Sequence, residues 1–208
     1  CKSTGDFEEI EKEKEPVSIS RNLSDLPVLS SEELYLFFMS QNPEADREMI
    51  IRMSEYYIEE ARTEGINSDC AWAQMCLETG YLKFGNWVTP DMHNYCGLGA
   101  IDAEHPGEVF ETEQLGVRAH IQHLHAYAKP ESEENALKNE LIDKRYKWVN
   151  PKGKAPTIFE LAGTWASDPA YGEKLDAILS KMELHHLGGL VSSLRLRWLH
   201  FDKLNDRV

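Results

Sequence analysis

Residues 70–80 read CAWAQMCLETG, an almost wholly apolar run that carries a single acid, Glu78, near its end. Asp69 is suited to cap the start of a helix here, and Gly80 is suited to end it. A helix that is apolar on nearly every face is buried in a folded domain. A carboxylate on such a helix is costly unless it is paired, neutral or turned toward a cleft. The run therefore predicts a buried helix with one exceptional side chain.

Two interpretations of Glu78 remain open from this pattern alone. In the first, loss of water around the carboxyl group raises its pKa, as a general acid that works near neutral pH requires. In the second, Glu78 is an ordinary glutamate on a solvated face at the end of a helix. The rest of the sequence has to decide between them.

The composition is that of a globular protein with an acidic surface. Of the 208 residues, 41% are hydrophobic, and the formal net charge is -14. This charge argues against nucleic acids and anionic membranes as partners, because a stripe of Lys and Arg is needed to neutralise phosphates. No apolar stretch approaches the ~20 residues of a membrane span. We expect one monomeric domain with tails.

The first residue is a cysteine, and an acid-rich stretch from Asp6 to Glu15 follows it. This arrangement resembles the mature end of a bacterial lipoprotein whose Cys1 carries the lipid, and the acids resemble the surface-export signal of Bacteroidetes lipoproteins. We expect a protein of the cell envelope that is anchored in the outer membrane by that lipid alone and faces the periplasm or the surface. A sequence that starts at this cysteine by chance is the alternative.

The chain divides into three parts by composition. Residues 1–29 are charged and rich in serine, and predict a flexible acidic tether. Residues 30–183 have helical apolar periodicity and predict the folded domain, whereas 184–208 predict a tail or a helix. Glycine and proline between residues 81 and 111 predict a loop and then a small β-hairpin lobe beside the Glu78 helix. The expected fold is mainly α.

The remaining cysteines predict buried thiols. Cys70 and Cys76 are six residues apart on one helix and point in different directions, so they cannot easily bridge each other. A bond between Cys76 and Cys96 stays open as the less favoured alternative.

Three histidines on one predicted helix raise the question of a metal site. His120 and His123 can share a helical face, but His125 points elsewhere, and no fixed carboxylate partner is evident. Signatures of phosphate-binding loops and of Ser/His/Asp triads are absent. We expect neither a metal nor a cofactor.

Four segments carry a resemblance to a known family: AQMCLETGY at 73–81, NYCGLGA at 94–100, GVRAHIQHL at 116–124 and GTWASDPAY at 163–171. In this order they resemble the glucosaminidase domain of glycoside hydrolase family 73, within the lysozyme-like superfamily. The resemblance implies an α+β lysozyme-like fold. It also implies an endo-β-N-acetylglucosaminidase that cleaves β-1,4 bonds next to N-acetylglucosamine in peptidoglycan.

The resemblance makes Glu78 the general acid, and glycoside hydrolysis needs a second group as well. Glu108 is the favoured second carboxylate among the acids at 102, 104, 108 and 111, because the family's second glutamate lies on the returning strand of a hairpin. Alternatively, the N-acetyl oxygen of the substrate is the nucleophile. In that case Tyr171 or Asn94, which match family positions, orients the acetamido group.

Sugar rings stack on aromatic faces, and four aromatic residues are candidates for the walls of a sugar site. The alternative for each is packing in the core. Gln74 precedes Glu78 by four residues and so shares its helical face; it is expected to hydrogen-bond Glu78 or the sugar, or simply to pack. The candidate walls are Tyr81, Tyr95, Trp165 and, less strongly, Trp87.

Two other functions fit the same sequence. One is a glycan-binding lipoprotein without catalysis, since no second carboxylate is certain. The other is a surface endoglycosidase that acts on the N-glycans of glycoproteins.

Overall fold

A computed structural model describes the backbone of residues 16–205 and the side chains of residues 16–189. The predicted lipid site at Cys1 and the acid-rich stretch lie outside the described residues, and both stay predictions. The described part holds five α-helices, together with two short 3₁₀ helices at Pro90–Met92 and Tyr146–Trp148. The α-helices are α1 Ser31–Gln41, α2 Arg47–Glu64, α3 Ser68–Thr79, α4 Glu113–Ala128 and α5 Tyr171–Asn205.

Helix α3 is the buried helix that the apolar run predicts. Trp72 is fully buried and meets the rings of Phe38 and Tyr57 edge to face, with centroids 5.8 and 5.4 Å apart. Helices α1, α2, α4 and α5 all pack against α3. Burial of this much aromatic surface holds the helices together.

The two ends of α3 illustrate how its boundaries are set. Gly80 ends the helix in the left-handed conformation, with φ 56°, as predicted. The start is two residues earlier than predicted, because the side chain of Asn67 accepts hydrogen bonds from the amides of Asp69 and Cys70. Asp69 instead accepts the amides of Val28 and Leu29, and burial raises its pKa to about 6.

The predicted β-hairpin lobe is wrong for the described residues, where residues 93–111 form turns and loops. The side-chain amide of Asn94 donates to the carbonyls of Leu98 and Glu108, and its oxygen accepts the amide of Leu98. One side chain thus takes up backbone groups that a strand ladder would have paired. The β-bridges found in the described part of the chain are isolated ones.

The packed domain begins before residue 30, so the part of the predicted tether that the structure describes is ordered against the core. Ile19 and Leu23 are buried. Arg21 reaches α5 and forms ion pairs with Asp176 at 2.7 Å and Glu183 at 2.6 Å. These contacts fasten residues 19–23 to the last helix.

At the other end, α5 continues without a break to Asn205, so residues 184–205 are helical rather than a ragged tail. His186 bonds Glu33 of α1 at 2.6 Å, which ties the two helices together. Among the described helices, none combines the length and the apolar character that crossing a membrane would require.

Helix α4 is joined to α2 through a buried ion pair. The guanidinium of Arg118 donates two hydrogen bonds of 3.0 Å to Glu60, whose side chain is almost fully buried. Glu64, one turn further along α2, accepts the amides of Lys138 and Asn139. Both acids of α2 therefore hold partners that are distant in the chain.

Candidate active site

Glu78 lies in the last turn of α3 with one carboxylate oxygen occupied. Its Oε1 accepts a hydrogen bond from the indole N–H of Trp165 at 3.1 Å and another from the hydroxyl of Tyr171. Among the described side chains, no donor lies within hydrogen-bond distance of Oε2. This oxygen faces Gly97, since a Cβ added to that glycine would lie 3.7 Å from it. A proton on this carboxyl group therefore sits on Oε2, the oxygen that lies on the Gly97 side.

The surroundings of Glu78 favour that proton. Burial raises the pKa of Glu78, and the hydrogen bonds from Tyr171 and Trp165 oppose this effect in part. The balance leaves the pKa above its ordinary value. Loss of water around a carboxyl group is the usual physical reason that it stays protonated near neutral pH.

The carboxyl group faces a cleft of about 300 Å³. This volume is at the lower end of the range for small-molecule sites. Glu78 is the one acid among the lining residues in the described part of the chain. The lining residues are Glu78, Thr79, Phe84, Asn86, Trp87, Val88, Asn94, Gly97 and Ala100.

The rim of the cleft after α3 has a strained backbone. Tyr81, Leu82 and Phe84 are all left-handed, with φ of 56°, 59° and 54°. Such conformations are costly for residues with a Cβ and gather at functional sites. Thr79 holds the turn, since its hydroxyl accepts the amide of Leu82 and its carbonyl the amide of Phe84. The turn carries the chain to Trp87, which is half exposed at the cleft.

A chain of buried hydrogen bonds runs inward from Glu78. The side-chain amide of Gln74 donates to the hydroxyl of Tyr171 at 2.9 Å, and its oxygen lies 2.8 Å from Nε2 of His120. The other ring nitrogen, Nδ1, is 2.7 Å from the hydroxyl of Tyr57. Four helices contribute to this chain, because Tyr57 lies on α2, Gln74 on α3, His120 on α4 and Tyr171 on α5.

The directions of these bonds are fixed by the two ends of the chain. The hydroxyl of Tyr57 is buried and has Nδ1 of His120 as its partner, so it donates there. His120 then donates from Nε2 to Gln74, Gln74 donates to Tyr171, and Tyr171 donates to Glu78. The reverse order would leave the hydroxyl proton of Tyr57 buried without an acceptor, which costs free energy. His120 is neutral throughout, because burial lowers its pKa to about 3.

The other two histidines of α4 have separate partners. Nδ1 of His123 bonds Asp143 at 2.7 Å, and its ring meets Trp165 edge to face at 5.0 Å. Nδ1 of His125 lies 3.1 Å from the hydroxyl of Tyr146. No group of three metal-binding side chains lies within the residues that the structure describes. Each of the three histidines thus has a side-chain partner on another element: Gln74 for His120, Asp143 for His123 and Tyr146 for His125.

The chain matches a family model over residues 54–184, a range that holds α3, α4 and the cleft. That family is the glucosaminidases, described as mannosyl-glycoprotein endo-β-N-acetylglucosaminidase. This chain belongs to the glucosaminidase family. An uncharacterized protein of Borreliella burgdorferi strain B31 is similar as well, with 41% identity over 175 residues that cover 84% of this chain and 81% of the relative.

Membership makes the protein a glycoside hydrolase and confirms the family that the four segments resemble. Its substrate, at the level of the family, is a peptidoglycan-type glycan that contains N-acetylglucosamine. The match covers the whole of α3, with Glu78. The roles of single residues in this glucosaminidase are a separate question, which geometry has to answer.

The structure does not bring Glu108 into the lining of the cleft. Its carboxylate lies 3.6 Å from Nζ of Lys144, and its side chain lies against Gly99. The other acids of this loop that the sequence offered, Asp102, Glu104 and Glu111, are exposed and also absent from the lining. The glucosaminidase thus has one acid, rather than a pair, at its described cleft.

Of the aromatic residues that the sequence offered as sugar walls, one lies in the core and another packs against it. Tyr95 is fully buried, where a sugar cannot reach its ring. Tyr81 turns toward α1, with its ring 6.3 Å from Phe37 and 5.8 Å from Phe38. Asn94 lines the cleft, but its amide is occupied by the backbone of its own loop. These corrections follow from packing, which places large apolar rings inside.

Several residues of the site carry little signal in the sequence. Asn86, Val88 and Ala100 line the cleft from irregular loops, where no periodicity marks them. His120 and Gln74 have a weak signal, since each is a polar residue on an otherwise buried face of its helix. Two buried polar groups on neighbouring helices tend to satisfy each other.

Proposed function

We propose that this enzyme cleaves the β-1,4 bond next to N-acetylglucosamine in peptidoglycan, with Glu78 as the general acid. The observation that carries the proposal is the asymmetry of the carboxyl group: Oε1 is held by Trp165 and Tyr171, and Oε2 faces Gly97 in the wall of the cleft. Burial raises the pKa of Glu78, which favours the protonated form that a general acid needs. The proton goes to the glycosidic oxygen as its bond to the anomeric carbon breaks.

The second catalytic group in this proposal is the acetamido oxygen of the substrate. No second carboxylate lines the described cleft, and Glu108 lies beside Lys144. The acetamido oxygen attacks the anomeric carbon as the leaving sugar departs, which forms a cyclic oxazolinium. Water then opens this ring while Glu78 takes a proton from the water. The product keeps the anomeric configuration, so a product of inverted configuration would refute this step.

Aromatic residues at the mouth of the cleft support binding of a sugar. Trp87 is half exposed, and Phe84 lies beside it in the lining. An exposed indole in a small cleft offers its face to the C–H groups of a pyranose ring. Trp165 holds Glu78 through its N–H, so we assign it to the acid rather than to a wall of the sugar site.

Digestion of purified peptidoglycan tests the proposal. Mass and end-group analysis should show new reducing ends on N-acetylglucosamine, and Glu78→Gln should abolish them. Glu111→Gln is the matched control, because Glu111 is exposed and outside the cleft. Reducing ends on N-acetylmuramic acid would make the enzyme a muramidase, and anhydro-sugars would make it a lytic transglycosylase. Unchanged products from Glu78→Gln would remove Glu78 from the mechanism and favour a glycan-binding role.

The description of the family favours one second candidate, an endoglycosidase that acts on mannosyl glycoproteins. Release of N-glycans from a model glycoprotein, with no release of muropeptides from the wall, would replace our proposal by this activity. A lipid on Cys1, an outer-membrane location and a monomeric state stay predictions, which mass spectrometry of the native protein and its sedimentation in solution will test.

A further inference from the structure

One short segment reverses the charge of this acidic protein. Residues 144–154 read KRYKWVNPKGK, with five cations and no acid, in a chain of net charge -14. We refer to these residues as the basic segment. Like charges so close together repel one another, so a run of this kind is typical of a surface that meets an anion.

Three of the five cations of the basic segment, Arg145, Lys152 and Lys154, lie on aromatic rings. The guanidinium of Arg145 is 4.7 Å from the ring centroid of Trp148, and Nζ of Lys152 is 5.0 Å from that of Tyr146. Trp148 is 61% exposed, which is unusual for so large an apolar side chain. A cavity of about 250 Å³ opens beside Tyr146 and Lys152, with residues 130–137 on its other side. The cavity itself is lined by one cation, Lys152, and one acid, Glu131, so the positive charge of this surface is concentrated on the basic segment and its aromatic faces.

The charge of the basic segment is largely unneutralised. Lys144 pairs with Glu108 at 3.6 Å, but among the described side chains no carboxylate lies within 4.0 Å of a charged nitrogen in the other four cations. Elsewhere in the domain, Arg21, Arg52 and Arg118 are paired with acids. The unpaired cations outside the basic segment, such as Arg47, Arg62 and Lys181, are far apart in the chain, whereas those of the basic segment are clustered. An acidic protein has many carboxylates to spare, so this separation of charge favours an anionic partner from outside.

The basic segment comes close to the wall of the cleft at Arg145, and its end at Lys154 packs against aromatic residues behind Glu78. Gly99 lies between Gly97 and Ala100, two residues that line the cleft. Arg145 is next to it, since a Cβ added to Gly99 would lie 3.4 Å from Nη1 of Arg145. At the end of the basic segment, Nζ of Lys154 lies 5.2 Å from the ring centroid of Tyr127. That ring is 5.2 Å from Trp165, which bonds Glu78. Side groups that project from a glycan strand in the cleft therefore have a cation within reach at Arg145.

We propose that the basic segment binds the carboxylate groups of the peptide stems that project from a peptidoglycan strand. This inference rests on the proposed function, because it takes the strand in the cleft to be peptidoglycan. Sugars of the strand that carry only acetamido and hydroxyl groups are neutral, whereas the stems end in carboxylates. The segment thus selects strands that carry stems over uncharged glycan, and it brings substrate to the cleft by electrostatic attraction.

The test is a triple variant, Lys147→Gln with Lys152→Gln and Lys154→Gln, assayed on two substrates. On intact peptidoglycan, we expect KM to rise roughly tenfold, which corresponds to ~1.4 kcal/mol, with kcat unchanged. Removal of the stems by an amidase frees the lactyl carboxylate of each N-acetylmuramic acid, so the second substrate is amidase-treated strands whose freed carboxylates have then been converted to amides. On these uncharged strands, we expect no change in KM. The triple variant to Arg should keep the wild-type KM on both substrates.

A second triple variant controls for net charge. Arg47, Arg62 and Lys181 are exposed and outside any ion pair among the described side chains. Their change to Gln removes the same total charge at other places and should leave KM unchanged. An equal rise in KM from both triple variants, or an equal rise on both substrates, would overturn the proposal. A rise that disappears after hydrofluoric acid removes phosphate polymers from the wall would also overturn it, because the anion would then be a phosphate.

Binding can be measured apart from catalysis. Glu78→Gln should cosediment with intact sacculi, and adding the three lysine substitutions should weaken this binding roughly tenfold. If the lysine substitutions weaken binding but the wild-type enzyme releases no sugar from the wall, the proposed activity is refuted and the binding surface is supported. If the lysine substitutions leave binding unchanged and the wild-type enzyme does digest the wall, only the proposed role of the basic segment is refuted.

Discussion

The hydrogen bond from Tyr171 to Glu78 gives the sharpest test of the proposed acid. Tyr171→Phe keeps the buried ring and removes only the hydroxyl, which donates to Oε1 and accepts from Gln74. This bond stabilises the carboxylate over the protonated acid, and it opposes the effect of burial on the pKa of Glu78. Its loss therefore raises the pKa of Glu78 further.

The expected size follows from the strength of a hydrogen bond to a charged group, about 1.5–3 kcal/mol. We take the lower end of this range, because Trp165 still donates to the same oxygen. About 1.4 kcal/mol changes the protonated fraction tenfold wherever most of the acid is ionised. The ratio of variant to wild-type kcat/KM should therefore be roughly ten times larger on the alkaline side of the profile than on the acid side, whatever its absolute value.

The assay is the pH dependence of kcat/KM on solubilised peptidoglycan strands, measured for the wild type and Tyr171→Phe. Tyr56→Phe is the control, since Tyr56 is a partly buried tyrosine of α2 outside the hydrogen-bond chain, and its ratio should be flat. A ratio for Tyr171→Phe that is flat or falls as pH rises would refute Glu78 as the group that must be protonated.

Three further predictions concern stability and binding. Glu78→Gln should raise Tm, measured by calorimetry, at pH 8 but not at pH 4. An acid whose pKa is higher in the folded state destabilises the fold only when the pH rises above its pKa in the unfolded state, about 4.3. An equal change at both pH values would contradict this. Gly116→Ala should cost about 3 kcal/mol of unfolding free energy in urea, because its Cβ would lie 1.8 Å from the carbonyl oxygen of His93. Gly188→Ala, at a position with open space around the added Cβ, should raise the unfolding free energy by up to about 1 kcal/mol. Similar unfolding free energies for the two variants would show that the structure relieves the clash at Gly116. Trp87→Ala should raise KM about tenfold at an unchanged Tm, and an unchanged KM would remove Trp87 from the sugar site.

The start of α3 shows the limit of local signals. Asn67 and Asp69 are both good capping residues, and the sequence gives no reason to prefer one of them. The choice depends on Val28 and Leu29, because their backbone amides donate hydrogen bonds to the carboxylate of Asp69. A segment about forty residues away thus decides which residue caps the helix.

The loop after the strained turn shows a second limit. Glycine-rich sequence with short apolar runs is compatible with a hairpin, and we predicted a loop followed by one within residues 81–111. The fold instead uses the amide of Asn94 to hold the backbone at Leu98 and Glu108. Without the hairpin, the acid at 108 lies beside Lys144 rather than in the lining of the cleft.

The sequence by itself determines a buried α3, its end at Gly80, the family, and the acid in its last turn. These features depend on periodicity and on motifs of a few residues, which short stretches of chain contain completely. Tertiary structure alone decides what surrounds that acid, because its partners Trp165 and Tyr171 are 87 and 93 residues away. Their positions depend on how α5 and the loop before it pack against α3, and contacts over such distances are set by the shape and burial of the whole domain.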